Sequence, residues 1–557
     1  MESRRFILVG IICALAFLLW SEWQRDYGHS DATVQKEHAA LPVQDDRQFD
    51  SAANDSVPSV KDTPVDRLRI EKSPAKAGHP AGEQQELSQK FPKVEVKTDV
   101  FDLIISTQGA DIISAKLNKY PISSKTPDIP FELLKNSSSE QFVSQSGIVS
   151  KQPAPDHHVV YKSVRESYTM GDEALVVPFV WEKEGIRITK VYTFKPGSYL
   201  IQVNYRIENN SNKDWRGNVY RQLLRSKGER ESRLIYTYTG GVIYSEEEKY
   251  EKISFDDMAE HDLDREIKGG WMAMIQHYFL AAWIPDPEQT NRFYSRALSD
   301  DRYVLGMLAP TISIKPGQSK QFDNQLYVGP KDQDTLSKIA DNLDLTVDYG
   351  YVSVLAKPLF WLMQKIDHYL GNWGWTIVVT TLLIKLLFYK LSATSYRSMA
   401  NMRKLTPRIQ AIRERYGEDR QRMSQAMMDL YKKEKVNPMG GCLPVLIQIP
   451  VFISLYWVLL ESVEFRQAPF ILWIQDLSIK DPYYILPLIM GASMFIQQRL
   501  NPAPPDPVQA KVLMALPFIF TLFFAFFPAG LVLYWVVNNI LSIAQQWMIT
   551  RQIERAG

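Results

Sequence analysis

Hydrophobic and polar positions change their spacing several times along this 557-residue chain, and each change predicts a different structure. Two arginines precede an apolar run at residues 6–20, which is the layout of a secretory signal. Trp20 and Trp23, at the end of that run, suit a membrane interface better than a cleavage site. Residues 1–24 are therefore predicted to form an uncleaved signal anchor, which is also the first transmembrane helix.

The next two stretches differ sharply in their content of large apolar residues. Residues 25–92 contain few of them, so this stretch is predicted to be a disordered linker. From residue 93 to 335, short runs alternate between apolar and polar positions, as at 190–194 and 199–203, and turn residues separate them. This spacing predicts a large antiparallel β-sandwich domain. Because the domain follows the first span, we expect it to lie outside the cytoplasm.

The last part of the chain is dominated by apolar runs. Residues 336–371 are predicted to form a connector and an amphipathic helix that lies along the membrane surface. Five apolar runs follow, at residues 373–391, 442–460, 483–496, 512–527 and 530–549. With the first anchor they predict a polytopic α-helical membrane protein with six transmembrane helices, five of which form a core over residues 372–557.

The distribution of charge predicts how these helices are oriented. The net charge is only +1, yet the chain from residue 351 onward carries 21 Lys and Arg against 12 Asp and Glu. Many of these basic residues fall in the loop at 392–441, which the positive-inside rule places in the cytoplasm. Both termini are then cytoplasmic, and residues from about 24 to 350 lie on the other side of the membrane.

That cytoplasmic loop has a helical pattern of its own. Apolar residues recur there at steps of three and four, with a break at 417–419, which predicts a helical hairpin over residues 395–437. Its basic residues could form a solvated face, or they could contact anionic lipids or ribosomal RNA, and the pattern leaves both readings open. The basic residues proposed for such contacts are Arg403, Lys404, Arg408, Arg413 and Arg415.

One charge falls inside a predicted span. Lys385 lies about six residues from the end of its apolar run, and a charge near the centre of a membrane helix costs about 2.5–3.5 kcal/mol. The other predicted spans contain no acidic partner for it, so a water-filled groove is expected around it. Polar residues that could line the groove include Thr381, Gln448 and a stripe on the last span. The stripe consists of Tyr534, Asn538, Ser542 and Gln545. Each of these residues alone would be explained by helix–helix packing.

The residue types that support catalysis or metal binding are sparse. Cys13 and Cys442 lie in or beside apolar runs and are interpreted as packing residues. The histidines of the sandwich are interpreted as scattered surface residues, because no catalytic motif or phosphate-binding loop accompanies them. We therefore expect no enzyme activity, no metal and no cofactor. The histidines are His157, His158, His261 and His277.

Two segments resemble a known family. The sequence NPMGGCLP at 437–444, continued by QIP at 448–450, and the sequence FPAGLVLYW at 527–535 are similar to motifs of the YidC-type membrane protein insertases. The resemblance implies an inner-membrane protein with residues from about 24 to 350 in the periplasm and a groove that opens to cytoplasm and lipid. Such a protein inserts and folds membrane proteins alone or beside the Sec translocon. Lys385 stands where the family usually has arginine, and Trp535 stands where tyrosine is expected.

The resemblance also implies a site and a set of partners. The groove is expected to consist of Lys385, Thr381, Gln448, Tyr534, Trp535, Asn538 and Ser542. Partners are expected to be nascent membrane proteins, the Sec translocon, anionic lipids and the ribosome, with no specific nucleic-acid sequence. Two alternatives come from other classes: a secondary transporter or channel, and a membrane-anchored periplasmic enzyme.

Overall fold

The computed structural model describes residues 56–58, 91–137, 139–228, 237–417, 419–434, 443–501 and 507–556. The predicted signal anchor lies outside the described residues, and so does the predicted linker apart from 56–58 and 91–92. The chain divides into two compact units. One comprises residues 51–361 and 454–479, here called the β unit, and the other comprises residues 1–50, 362–453 and 480–557, here called the helical unit.

The β unit is built from short strands whose side chains alternate between buried and accessible positions, as a half-buried pleated sheet requires. Among the described residues the strands are β1 Lys93–Lys97, β2 Phe101–Ser106, β3 Ile112–Ser123, β4 Thr126–Asn136, β5 Gln141–Val149, β6 Lys162–Ser163, β7 Ser167–Thr169, β8 Leu175–Lys183, β9 Ile186–Phe194, β10 Leu200–Asn209 and β11 Trp215–Ser226. The remaining strands are β12 Gly240–Ser245, β13 Lys249–Ile253, β14 Asp264–Lys268, β15 Trp271–Gln276, β16 Phe279–Ile284, β17 Thr290–Leu298, β18 Arg302–Leu308, β19 Ile312–Ile314, β20 Ser319–Phe322 and β21 Gln325–Pro330.

These strands form two sheets. The first has the order β14-β17-β18-β11-β5-β4-β3-β2-β1-β7, with β19 paired to β11. The second has the order β13-β12-β15-β16-β21-β10-β9-β8-β6, with β20 paired to β10. Within the described strands the pairing is antiparallel except between β1 and β7. One apolar core draws side chains from both sheets, including Leu103 and Ile188, so the unit is a β-sandwich as the alternation predicts.

A buried ammonium group joins the two sheets inside this sandwich. Lys190, on β9 of the second sheet, is 0% exposed, and its Nζ donates to the carbonyl oxygen of Gly109 at 2.9 Å. The same nitrogen donates to Asp111 Oδ1 and to the carbonyl oxygen of Ser146, both at 3.2 Å and both in the first sheet or its turns. Such a buried pair is tolerated because further hydrogen bonds complete it. The alternating pattern could not predict this pair, because Lys190 occupies a position where the pattern expects an apolar residue.

The outer faces of both sheets are also apolar, so each needs a cover. On the second sheet the cover includes Leu336, in helix α2 (Gln333–Ile339), and Leu343, in the 3-10 turn Leu343–Thr346. On the first sheet, a buried cluster consists of Val143, Tyr220, Leu224, Tyr294, Val304 and Leu308. A short helix, α1 (Phe255–Glu260), begins at Ser254, whose hydroxyl accepts a hydrogen bond from the backbone of Asp257.

The remaining helices follow the β-sandwich in the sequence. They are α3 Ser353–Leu370, α4 Trp373–Leu387, α5 Tyr389–Lys404, α6 Thr406–Tyr416, α7 Arg420–Lys433, α8 Leu443–Glu461, α9 Ile485–Leu500, α10 Pro507–Phe524 and α11 Ala529–Ala556. The helices α4, α8, α9, α10 and α11 coincide closely with the five apolar runs. Each run therefore forms a helix, as its length and composition predict.

The lengths of these helices bear on the prediction of six membrane spans. Within the described ranges, no single helix is both long enough and apolar enough to cross a membrane. Helices α4 and α5 meet the criteria together, but a bend of 68° separates them. Six transmembrane helices are therefore not confirmed, and that number stays a prediction.

The end of α8 and the segment after it, residues 454–479, belong to the β unit and are bonded to the rest of it through buried groups. Lys331, directly after β21, forms an ion pair of 3.2 Å with Glu461, and both side chains are buried. Next to this pair, the hydroxyl of Tyr349 lies 2.9 Å from that of Ser462. The guanidinium of Arg466 donates to the carbonyl oxygen of Pro121 at 2.7 Å. Residues far apart in the sequence therefore form one compact unit.

Glu464 differs from Glu461, which lies only three residues before it. Its Oε2 atom is shielded from water and has no hydrogen-bond partner among the described residues. Burial raises the pKa of Glu464 to about 8, and the negative charges of Asp332 and Asp334 raise it further, while its own backbone N–H opposes the shift. The folded protein therefore favours the protonated form of this side chain.

The raised pKa of Glu464 predicts a pH-dependent stability. Its pKa is about 8 in the folded state against a usual value of 4.5, so the folded state holds a proton that the unfolded state has lost between these values. Stability is therefore lost as pH rises through this window. Replacing Glu464 by Gln should raise the Tm of the β unit by roughly 2–5 °C at pH 9 and leave it unchanged at pH 4. Thermal unfolding of the detergent-solubilised chain at both pH values measures the effect.

The matched control is Glu461→Gln, which leaves the buried Lys331 without its carboxylate. It should lower the Tm at pH 7, because an uncompensated buried charge is strongly destabilising. Equal shifts for Glu464→Gln at pH 4 and pH 9 would contradict the assignment of the proton to Glu464.

Candidate functional site

Lys385 is held between two helices of the helical unit. It lies in the last turn of α4, two residues before the helix ends, and is only 7% exposed. Its Nζ donates a hydrogen bond of 2.7 Å to the hydroxyl of Ser542 on α11. Within the described part of the chain it forms no salt bridge with a carboxylate. The structure therefore brings together two residues that the sequence placed in one groove, although 157 positions separate them.

Ser542 also forms a hydrogen bond within its own helix. Its hydroxyl accepts from Lys385 and donates to the carbonyl oxygen of Asn538 at 2.6 Å, one turn earlier. One turn later, the amide of Gln545 donates to the carbonyl oxygen of Tyr389 at 3.2 Å. That carbonyl lies at the start of α5, directly after the bend. The polar stripe on α11 thus contacts the α4–α5 junction.

The other end of the stripe contacts aromatic groups instead. Tyr534 is buried, and its ring stacks against Phe452 of α8 with 6.1 Å between the ring centroids. Trp535 packs against Phe452 at 4.9 Å and against Phe524 of α10 at 5.8 Å. The indole Nε1 of Trp535 is buried without a hydrogen-bond partner in the described structure. These residues form an aromatic cluster rather than part of the polar stripe.

Two predicted groove residues on α4 and α8 remain apart from the hydrogen bond of Lys385. Thr381 is buried on the same face of α4, and its hydroxyl donates to the carbonyl oxygen of Ile377 at 2.7 Å. The neighbouring Thr380 is also buried, and its hydroxyl lacks a partner among the described residues. Gln448 is half-buried on α8, and none of the described hydrogen bonds joins it to Lys385.

A second line of hydrogen bonds runs along α11, and its residues were not among those predicted from the sequence. The amide of Asn539 donates to the hydroxyl of Ser493 on α9 at 3.0 Å, and the amide of Gln546 donates to the side-chain oxygen of Asn501 at 3.0 Å. Asn539 and Gln546 are seven residues apart, so they share a face of the helix. The sequence contains this spacing, but Asn539 and Gln546 directly follow Asn538 and Gln545 of the first stripe and were therefore overlooked.

The helices α6 and α7 form a hairpin that is shorter than the predicted one over residues 395–437, because a break at Leu405 separates α5 from α6. Leu405, Met427 and Tyr431 form its small core, and a salt bridge of 2.6 Å joins Arg408, near the start of α6, to Glu434, just after α7. The two helices are therefore antiparallel.

The basic residues proposed for lipid or ribosome contact do not all lie on this hairpin. Arg403 and Lys404 are exposed at the end of α5, before the break at Leu405. Arg408 and Arg415 are exposed on α6, and Arg413 is half-buried there. Their surroundings are mostly solvent, so the structure leaves their contacts as a prediction.

The histidines of the β-sandwich were interpreted as scattered surface residues, and this was wrong for His157. It is buried, and its Nδ1 lies 2.5 Å from the hydroxyl of Tyr220. The Nε2 of His277 lies 2.8 Å from the carbonyl oxygen of Leu460. Throughout the described ranges, no three His, Cys, Asp or Glu side chains gather in a way that could hold a metal ion.

Two family models match this chain, one over the β-sandwich and one over the helices that follow it. Residues 93–362 match the family model of the YidC periplasmic domain, and residues 365–556 match that of the 60Kd inner membrane protein. The two matches define the class as an inner-membrane protein with a large β-rich periplasmic domain and a helical C-terminal region.

Individual relatives agree over the full length. The membrane protein insertase YidC of Thioalkalivibrio sulfidiphilus is 48% identical, and the match covers 100% of both chains. The YidC of Nitrosococcus oceani is 49% identical, again over 100% of both chains. A crystal structure of an active YidC insertase, with its first transmembrane domain resolved, covers 81% of this chain and 92% of its own, with 20% identity and a TM-score of 0.40. This chain belongs to the YidC family of membrane protein insertases, which confirms the resemblance in the sequence.

The second polar line on α11 predicts a measurable coupling between two helices. Asn539→Ala and Ser493→Ala each remove one side of the same hydrogen bond, so their effects on the free energy of unfolding should not add. The expected coupling is about 0.6 kcal/mol, and at most about 1.7 kcal/mol, which is the range for hydrogen bonds between membrane helices. A double-mutant cycle in detergent or bicelles measures it.

The control pairs Ser493→Ala with Ser542→Ala, because Ser542 faces α4 and not α9. This pair should be additive. Additivity in the Asn539–Ser493 cycle as well would contradict the hydrogen bond.

Proposed function

We propose that this chain inserts nascent membrane proteins through a polar intramembrane groove, and that Lys385 is the group that attracts the client. In this proposal the polar, often acidic, flank of a client segment enters the groove from the cytoplasm. The apolar part of the segment meanwhile moves into lipid along α8 and α9. The groove shortens the apolar path that the flank must cross, so no nucleotide or cofactor is required.

The observation that carries this proposal is a contrast between three buried lysines. Lys190 pairs with Asp111, and Lys331 pairs with Glu461. Lys385 is buried too, yet its described partner is the neutral hydroxyl of Ser542. A buried charge is costly unless it is paired, so unpaired ones are retained mainly where they function. An unneutralised ammonium group is suited to bind a carboxylate transiently.

The neighbours of Lys385 support transient binding rather than tight binding. A hydroxyl can give up its hydrogen bond to the ammonium when an acidic side chain arrives, because Ser542 also bonds to its own helix. A permanent carboxylate would have neutralised the charge. Lysine presents a point charge on a flexible stem, without the planar fork of arginine, so it favours a positive field over a fixed binding geometry.

The two ends of the stripe differ in chemistry, which suggests a different role for each. Asn538, Ser542 and Gln545 offer polar groups near Lys385, whereas Tyr534 and Trp535 join an aromatic cluster with Phe452. In the proposed mechanism the polar end receives the client's hydrophilic flank. The aromatic end bounds the groove and prevents it from becoming a continuous aqueous pore. Thr381 and Gln448 are proposed to line the groove as well.

The proposed topology follows the distribution of charge. Six transmembrane helices would place the β unit in the periplasm and both termini in the cytoplasm, with α6 and α7 on the cytoplasmic side. The exposed basic side chains of α5 and α6 are then suited to contact anionic lipid headgroups or a translating ribosome. The Sec translocon is proposed as a further partner for large clients.

The charge of Lys385 gives the test of this proposal. Lys385→Glu should reduce the insertion of clients with acidic periplasmic tails by at least tenfold, because the groove would repel them. Lys385→Arg keeps the charge and should retain most of the insertion. Protease protection of radiolabelled clients, synthesised on inverted membrane vesicles that contain each variant at equal amounts, measures the insertion.

Lys390→Glu is the matched control, because Lys390 is an exposed lysine five residues further along the chain. It makes the same change of net charge and should leave the insertion unchanged. Undiminished insertion of acidic clients by Lys385→Glu would refute the mechanism, as would an equal loss in Lys390→Glu.

A further inference from the structure

A tripeptide of the polar linker lies against the β-sandwich. The sequence predicts disorder over residues 25–92, yet within this stretch Ser56 is only 6% exposed and Pro58 is buried. The hydroxyl of Ser56 lies 2.7 Å from the Nε2 of His157, which is 101 positions away in the sequence. Arg296, on β17, donates to the carbonyl oxygen of Val57 at 3.0 Å.

Both contacts lead to the outer face of the first sheet. His157, which faces Ser56 with one ring nitrogen, faces the hydroxyl of Tyr220 with the other at 2.5 Å. The guanidinium of Arg296, which binds Val57, lies 6.0 Å from the ring centroid of Tyr294. Tyr220 and Tyr294 are members of the buried apolar cluster on this face. The tripeptide is therefore anchored at two points on one patch of the sheet.

This patch is a sheet face that needs a cover. The corresponding face of the second sheet is covered by Leu336 and Leu343. On the first sheet, Tyr220 and Val304 are 0% exposed, although their side chains point away from the sandwich core. A short peptide with a hydroxyl, a carbonyl that accepts a hydrogen bond and a proline suits such a place, because the proline adds apolar contact without adding an N–H that would need a partner.

We propose that the outer face of the first sheet, around His157, Tyr220, Tyr294 and Arg296, is a docking site for the chain's own linker, and that Ser56–Val57–Pro58 is its ligand. The site binds an extended peptide through one side-chain hydroxyl and one backbone carbonyl. Docking within the same chain divides the linker into two parts and so shortens the segment that connects the first apolar run to the sandwich.

The consequence follows from chain length alone. Without docking, 69 residues separate Trp23 from the first strand, at residues 24–92. With docking, 32 residues connect Trp23 to the sandwich, at residues 24–55. At no more than about 3.6 Å per residue, the maximum separation falls from about 250 Å to about 115 Å. The docked tripeptide thus limits how far the β unit can move from the first apolar run.

Cysteine labelling tests the docking in the full-length chain. The two native cysteines are replaced first (Cys13→Ser and Cys442→Ser), and Ser56→Cys then places a thiol of similar size at the buried position. Because Ser56 is not part of the apolar core of the sandwich, the Tm should stay close to that of the parent. The thiol should react with a maleimide at least tenfold more slowly in the folded protein than after denaturation. The proposal is overturned if the folded and denatured rates are equal.

Two arginines, one on each sheet, provide the matched variants. Arg296→Gln removes the donor to Val57 and should raise the labelling rate of the introduced thiol in the folded protein at least threefold. Arg206→Gln makes the same change at an exposed arginine on β10 of the second sheet, which pairs with Glu208, and the rate should not change. Equal effects of the two variants would overturn the assignment. Protection that disappears on dilution would overturn it as well, because the ligand would then be the linker of a second copy.

Discussion

The burial of one unneutralised ammonium group constrains the whole helical unit. Removing Lys385 from water is unfavourable, and the neutral hydroxyl of Ser542 compensates for only part of that cost. The helices around it must therefore supply further polar groups without supplying a carboxylate, since a carboxylate would cancel the charge. This requirement accounts for the polar stripe on α11, which would otherwise be an unusual feature of a mostly apolar helix.

In the β unit, by contrast, carboxylates neutralise the buried lysines. Lys190 and Lys331 each have a carboxylate partner, and both connect elements that lie far apart in the sequence. These pairs hold structure together, and their charges are unavailable to a ligand. Glu464 is the exception on the acidic side, because burial and two nearby carboxylates favour its protonated form. Buried charges thus hold the β unit together, whereas the buried charge of the helical unit is the one proposed to bind a client.

The sequence predicted the elements better than their partners. Period-two alternation identified the β-sandwich, and apolar runs located five helices, because both patterns arise from local burial. The partnership of Lys385 with Ser542 could be expected, since both lie on polar faces of apolar helices. The pairing of Lys190 with Asp111 could not, because contacts between sheets leave no periodic signal. Asn539 and Gln546 were overlooked since they lie next to more conspicuous residues. The break at Leu405 was also missed, although Pro407 at the start of α6 indicates it.

The two polar lines on α11 have a consequence for how that helix can move. Ser542 and Gln545 bond towards α4 and α5, whereas Asn539 and Gln546 bond towards α9, and the lines are separated by roughly 100° around the axis at 3.6 residues per turn. A roll of α11 in either direction would break at least one line. Rotation of α11 about its axis is therefore restrained, and any widening of the proposed groove must come from the displacement of neighbouring helices.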